Sequence, residues 1–506
     1  MIKKFLLPLF LCLVFSISAI SQPISSPEDV FGFKMGADKK LVNWEQIVSY
    51  FQQLDRESPR VKVIELGKTT LDHPMIMAII SSKDVVANLD KYRQIQEQLA
   101  NPYDLSDRRA QQLINDGKLV VLITMNIHSS EIGASQGALE LAYELASSEE
   151  KEFASIRENL IVLIIPSLNP DGQDMITKWY LQTVGTPYEG SRMPYKYHHY
   201  ADHDNNRDWH FFNLKETRLV AKVLYHDWYP EIVMDQHQMG SRGARLFLPP
   251  YADPVNPNVA PQLTASVNFI GNYIASTMQQ KGYKGIVTGT IFNAFFEGTM
   301  SKTPLWHNRI GILTEAASVR YATPLYFPRT SLRGMGIDLP EYSQQTNFVD
   351  PWEGGWWRLR DIVNYQKAAA LSLLQLSATY KERFKTLFYE LNKQAIENPS
   401  GEKLQAFILP LRQHDPGNVV ELLRRLQMAN VKIYQADSDF VFNGKKYQKG
   451  DFIIPLNQPS RAYIKDVMER QFYPDLKEYP GGPPRQPYDV TAWTFPLQMG
   501  VESVEV

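Results

Sequence analysis

The chain has 506 residues, a formal net charge of −2, 44% hydrophobic and 12% aromatic residues. That length exceeds what one ordinary core encloses, so two domains are expected, and the apolar content excludes a disordered chain. The near-neutral charge gives no electrostatic footprint for nucleic acid or for an anionic membrane surface.

Lys3 and Lys4 precede an apolar stretch from Phe5 to Ile20, and Ala19 and Ser21 supply small residues ahead of Gln22. This reads as an export signal over residues 1–21, too short for a spanning helix, with an uncleaved anchor as the alternative. The mature protein is then periplasmic or secreted, without a membrane partner. The sole cysteine, Cys12, falls inside the signal, which removes disulfides and thiolate ligands together. Any bound metal must therefore use His, Asp or Glu.

After Gln22 the pattern predicts a helix over Trp44 to Leu54, strands over Val61 to Leu66 and Met75 to Ile80, and helices over Asn88 to Ala100 and Ser106 to Asp116. Leu119 to Met125 is a continuous apolar run, the signature of a strand buried on both faces. It turns at His128-Ser129-Ser130-Glu131 and passes into helical spacing at Leu139, Leu141 and Leu145. Ligand sites of open α/β sheets lie in such turns, beyond the carboxyl ends of the strands.

Three further apolar runs lead into polar residues. Leu160 to Ile165 precedes Asn169-Pro170-Asp171-Gly172, Glu231 to Met234 precedes Asp235-Gln236-His237, and Ile310 to Leu313 precedes Thr314-Glu315. Helical stretches over Leu214 to Trp228 and Pro261 to Lys281 supply the crossovers that a mostly parallel sheet requires. Ahead of the first of these helices, Gly185 to Trp209 has no core periodicity, and loops of that length are functional or simply solvated. A single helical pattern runs from Leu359 to Asn392. Beyond the Pro/Gly linker at Glu397 to Gly401 a strand-helix-strand pattern restarts, with strands at Ala406 to Leu409 and Phe452 to Pro455.

The expected fold is therefore α/β: a mixed, mostly parallel central sheet with helices on both faces, followed by a smaller α/β domain. The expected division is a signal at residues 1–21, a catalytic domain at 22–395 and a C-terminal α/β domain of unassigned role at 402–506.

Zinc hydrolases keep three protein ligands and one open position, often two His and one carboxylate, and His128, Glu131 and His237 supply that set. Chance also produces a His-x-x-Glu in a chain this long, and a lone His at a strand end is often only a satisfied polar residue. Glu315, flanked by Ile312, Leu313, Ala316 and Ala317, should have its pKa raised by burial into the range of a general base. The alternative is a buried acid paired with an arginine.

His-x-x-Glu at 128–131, Asn-Pro-Asp-Gly at 169–172, Asp-x-Asn-Arg at 204–207, Asp-x-His at 235–237 and Leu-Thr-Glu-Ala at 313–316 occur in one order. Together they resemble the zinc carboxypeptidase family related to carboxypeptidase A, over roughly residues 40 to 390. The resemblance implies one Zn²⁺ held by His128, Glu131 and His237, with Glu315 activating the attacking water. It further implies that Asp204 orients a zinc-binding imidazole, that Asn206 and Arg207 clamp the substrate's terminal carboxylate, and that Arg192 stabilises the oxyanion. The substrate would be a peptide with a free C-terminal carboxylate, and the chain an exported bacterial member with a C-terminal appendage. Phe292, Phe295 and Phe296 stand where the family often has a tyrosine that closes over substrate. Two other readings compete: a zinc amidase acting on cell-wall peptides or acylated amino acids, and a non-catalytic peptide-binding protein. Intact candidate ligands and Glu315 argue against the second.

Overall fold

A computed structural model describes residues 24–397, 403–489 and 493–506; the expected signal and, apart from Glu397, the expected linker lie outside the described residues. Its centre is an eight-stranded sheet comprising β1 (Val61–Lys68), β2 (Pro74–Ile80), β3 (Leu119–Met125), β4 (Leu160–Ile165), β5 (Ile232–Met239), β6 (Leu246–Phe247), β7 (Ile286–Val287) and β8 (Ile310–Ala317). The spatial order is β1-β2-β4-β3-β5-β8-β6-β7. The four central strands β4, β3, β5 and β8 run parallel, and β1, β2 and β6 pair antiparallel. Every residue of β3, β4 and β8 is buried, which is why β3, β4 and the first half of β8 read as apolar runs.

Helices α1 (Trp44–Glu57), α2 (Leu89–Ala100), α3 (Asp107–Asp116), α4 (Gly133–Ser147) and α5 (Pro170–Thr183) precede α6 (Pro261–Gln280) and α7 (Leu359–Thr379). Helix α7 packs on α4, α6, β3 and β8, so the crossover helices close the sheet. Among the described residues no helix is long and apolar enough to cross a membrane.

Two segments differ from the periodicity. The expected single helix from Leu359 to Asn392 is two, because Tyr380 leaves helical geometry (φ −110°, ψ 28°) between α7 and α8 (Lys381–Glu397). The redirected α8 brings Lys385 to Glu231, a fully buried ion pair at 2.7 Å. Strand β5 also runs on to Met239, past the apolar residues that predicted its end at Met234. Pairing with β8 along its whole length, from Ile232–Ile310 to Met239–Ala317, overrides the local polarity. The polar residues on one face are satisfied by α7: Gln236 donates to the Gln366 carbonyl, and Gln366 donates to the His237 carbonyl.

The C-terminal segment forms a second, antiparallel sheet from β9 (Ala406–Leu409), β10 (Tyr434–Gln435), β11 (Phe452–Pro455) and β12 (Val504–Glu505), ordered β10-β11-β9-β12. Helices α9 (Pro416–Met428) and α10 (Arg461–Met468) accompany it. Its buried side chains are continuous with the main core. Polar contacts cross as well: the Tyr463 hydroxyl donates to the His210 carbonyl at 2.7 Å, and Asn256 and Asn258 each donate to Asp466 at 2.9 Å.

Candidate metal centre and substrate pocket

His128 and Glu131 lie in the tight connection between β3 and α4. Asn126 takes a left-handed conformation (φ 56°) to end the strand, and the Glu131 amide donates to the His128 carbonyl at 2.8 Å. The Asn-Pro-Asp-Gly motif braces this turn. Asn169 caps α5 through the Gly172 amide and reaches the Ile127 and Tyr197 carbonyls. A Cβ on Gly172 would fall 2.1 Å from Ser129 Oγ and 2.4 Å from the Tyr197 carbonyl oxygen, so only glycine fits there. Asn205 fastens the same turn from the other side, donating to the Ile127 carbonyl at 2.7 Å.

β5 brings up the third residue. His128 Nδ1 lies 2.9 Å from Glu131 Oε1, and His237 Nδ1 lies 3.1 Å from Glu131 Oε2. One atom from each of the three residues lies within 4.8 Å of the others, a spacing that suits one ion. His237 Nε2 is 2.6 Å from Asp235 Oδ2, and Asp235 is held by the Thr124 hydroxyl at 2.8 Å. Residues 235 and 237 share a face of the strand because its side chains alternate. Among the described residues His128 Nε2 is buried without a partner, and the His203 ring stacks on the His128 ring at 3.9 Å.

The electrostatics match a cation site. Burial opposes ionisation of Glu131, but His128 and His237 overcome it and hold that carboxyl well below the usual range. Burial likewise opposes charge on His237, yet Asp235 and Glu131 raise it well above an ordinary imidazole. Two carboxylates thus stabilise positive charge where the ligand atoms converge. Two imidazoles and one carboxylate are a donor set that fits zinc.

Glu315 stands directly across from His237 in the β5–β8 register. Burial pushes its carboxyl up to about 8, against the pull of His237 and Lys302. His128, Glu131, His237 and Glu315 line one cavity of about 190 Å³, together with Asn206, Arg207 and Lys302.

The other candidates are placed as follows. Asn206 accepts from the Met300 amide at 2.9 Å and lies 3.4 Å from His237 Nε2. Arg207 donates to the Asn206 carbonyl at 2.8 Å and, through Nε, to Asp489. Asp204 is exposed in the short turn Asp202–Arg207 and bonds neither histidine; the acid set against an imidazole is Asp235. Arg192 is exposed and lines a neighbouring recess with Tyr197 and His203, outside the cavity that holds Glu315. Sequence reasoning missed Asp235, Lys302, Tyr488 and Asp489. An Asp-x-His on a strand signals a shared face, whereas nothing local marks Tyr488 or Asp489 as neighbours of Arg207.

A buried site of two imidazoles and one carboxylate beside a second buried carboxylate, at the sheet's carboxyl edge, defines a mononuclear metallohydrolase architecture. Residues 47–287, just under half of the chain, match the model of the zinc carboxypeptidase family. That segment contains all three metal-site residues; Glu315 and Lys302 lie beyond it. No curated protein matches the chain by sequence. Among solved structures, carboxypeptidase A from Helicoverpa armigera is 15% identical with a TM-score of 0.40, covering 67% of this chain and 74% of that one. A metallo-carboxypeptidase from Burkholderia cenocepacia is 13% identical at a TM-score of 0.40, covering 66% and 68%. One from Pseudomonas aeruginosa, in complex with (2-guanidinoethylmercapto)succinic acid, is 12% identical at 0.42, covering 67% and 69%.

Proposed function

We propose that the chain removes the C-terminal residue of peptides, with residues 22–395 as the catalytic unit and residues 402–506 as a docked α/β unit. His128, Glu131 and His237 hold the zinc, which when bound supplies a Lewis acid for polarising the scissile carbonyl and activating water. Asp235 fixes the ring angle and tautomer of His237 through Nε2, leaving Nδ1 directed at the metal position. Glu315 accepts the proton of the attacking water and passes it to the departing amine. Its burial keeps it basic enough for the first step, and its place opposite His237 sets it beside the metal position.

Arg207 and Asn206 receive the terminal carboxylate. The observation that carries this reading is the shared cavity itself, in which the metal-site residues, a buried base and a guanidinium occupy one pocket. Asp489 on Arg207 adds support, since it sets a carboxylate against the guanidinium proposed to bind one. An exported enzyme with a signal at residues 1–21 is the corresponding localisation.

Matched peptides ending in a free acid or an amide test the reading. In the wild type the amide should lose roughly tens to thousands-fold in kcat/KM, the usual cost of about 2–5 kcal/mol for unpairing a buried charge. Arg207→Ala should lose a comparable factor on the acid and little more on the amide, because both changes remove one interaction. Equal release from acid and amide by the wild type would leave a zinc hydrolase indifferent to chain ends.

A further inference from the structure

Lys302 is a buried cation whose role the reaction above does not require. It is 4% exposed yet lines the same cavity as Glu315 and Arg207. Its place is fixed by a tight turn: the Met300 amide is bonded to Asn206, and the Lys302 and Thr303 amides both donate to the Thr299 carbonyl, at 3.1 and 2.9 Å. The ammonium nevertheless has little to bind. Its one hydrogen bond among the described residues is a long one, 3.4 Å to Ser301 Oγ, and no ion pair holds it. The rings of Tyr251 and Tyr488 flank it at 5.5 and 6.0 Å.

An ammonium has three donors and gives up strong hydration when buried, so a site that leaves most of them unfilled lacks an anion. Glu315 attracts it, as do Asp235 and Asp489, but none lies within ion-pair distance. Arg207, by contrast, already has a carboxylate on Nε and a carbonyl on Nη1. The pocket therefore holds two cations of different standing: one that positions a carboxylate now, and one with free donors.

Resting on the carboxypeptidase reading, we propose that Lys302 is a specificity-determining residue that binds the side-chain carboxylate of the departing residue, so that the enzyme prefers peptides ending in glutamate or aspartate. Arg207 takes the terminal carboxylate and Lys302 the second acid. The competing role is purely electrostatic, with Lys302 easing ionisation of Glu315; that role affects every substrate equally.

The experiment uses the zinc-loaded full chain and peptides identical except for a last residue of Glu or Gln, two side chains of nearly equal shape. The wild type should favour Glu over Gln by roughly 10- to 100-fold in kcat/KM, as expected for a charge pair formed out of water. Lys302→Met should abolish that ratio by loss on the Glu peptide, with Gln retained, and Lys302→Arg should restore part of it. Calorimetric titration of N-benzoyl-glutamate and N-benzoyl-glutamine gives the same comparison without turnover. Tighter binding of the glutamate compound by wild type alone supports the inference even if no peptide is cleaved, an outcome that would count against the carboxypeptidase reading only. A Glu-to-Gln ratio near one in the wild type overturns the inference, as does an equal loss on both compounds in Lys302→Met.

Discussion

At the scale of single residues, the site depends on acids that face imidazoles, and each acid has a distinct task. Asp235 is fully buried and touches His237 on the side away from Glu131, so it can orient the ring without competing for the ion. Asp235→Asn should keep the fold but weaken zinc affinity by roughly 10–100-fold, the usual worth of such a partner. Dialysis against a zinc buffer followed by metal analysis reads this directly. Glu315→Gln should retain zinc while turnover falls by roughly 10²–10⁴-fold, and His237→Ala should lose the metal. Equal zinc loss in His237→Ala and Glu315→Gln would make Glu315 a ligand rather than a base. His128, Glu131, His237 and Glu315 were legible because each adjoins an apolar run that specifies a strand. The acid set against an imidazole was less so. Asp204 follows from a family motif, whereas the pairing of Asp235 with His237 depends on strand alternation continuing through a polar stretch.

At the scale of elements, the sequence marks what local periodicity controls and misses what tertiary pairing decides. The strands Leu119–Met125 and Leu160–Ile165 were readable to the residue, since both faces are covered and every side chain but Thr124 is apolar. The extension of β5 to Met239 was not, because its cause is the register with β8. Least visible was the segment carrying Tyr488 and Asp489, which is 282 residues from Arg207 in sequence and rests on the pocket rim. Tyr488 packs edge-on against Phe292 at 5.7 Å, and Arg485 pairs with Asp338 at 2.6 Å, so the segment is anchored at more than one point. Asp489 places a negative charge beside the proposed carboxylate clamp, and an anionic substrate must meet it. Asp489→Asn should therefore lower KM for free-acid peptides by roughly 2- to 5-fold, a modest change because the pair is not fully enclosed, with amides little affected. A raised KM for acids would show instead that Asp489 holds Arg207 in its binding geometry.

At the scale of the whole molecule, the C-terminal unit packs on the main unit around a buried acid pair, and its protonation is expected to tie docking to pH. Glu297 and Asp466 are both fully buried, Asp466 on α10 and Glu297 in the loop after β7. Among the described residues neither oxygen of Glu297 finds a donor, while Asp466 accepts from Asn256 and Asn258. Burial, then the neighbouring Asp466, pushes the Glu297 carboxyl well above its ordinary value of 4.5. The neutral acid can donate toward Asp466; the ionised one faces another carboxylate in a buried interface. A carboxyl with a raised folded-state pKa binds more protons folded than unfolded, so its contribution is complete below the ordinary carboxylate range and is lost as pH rises above it. The slope is at most about 1.4 kcal/mol per pH unit for one proton. Glu297→Gln keeps a donor that does not titrate. Against the wild type at equal zinc, its Tm should be similar at pH 4.5 and should pull ahead by about 2 °C or more by pH 8, given the sensitivity of domains of this size. Glu315, also raised by burial, is common to both proteins and cancels in the comparison. Parallel Tm curves for the two proteins from pH 4.5 to 8 would mean that Glu297 is ionised in the folded state and paired in some other way.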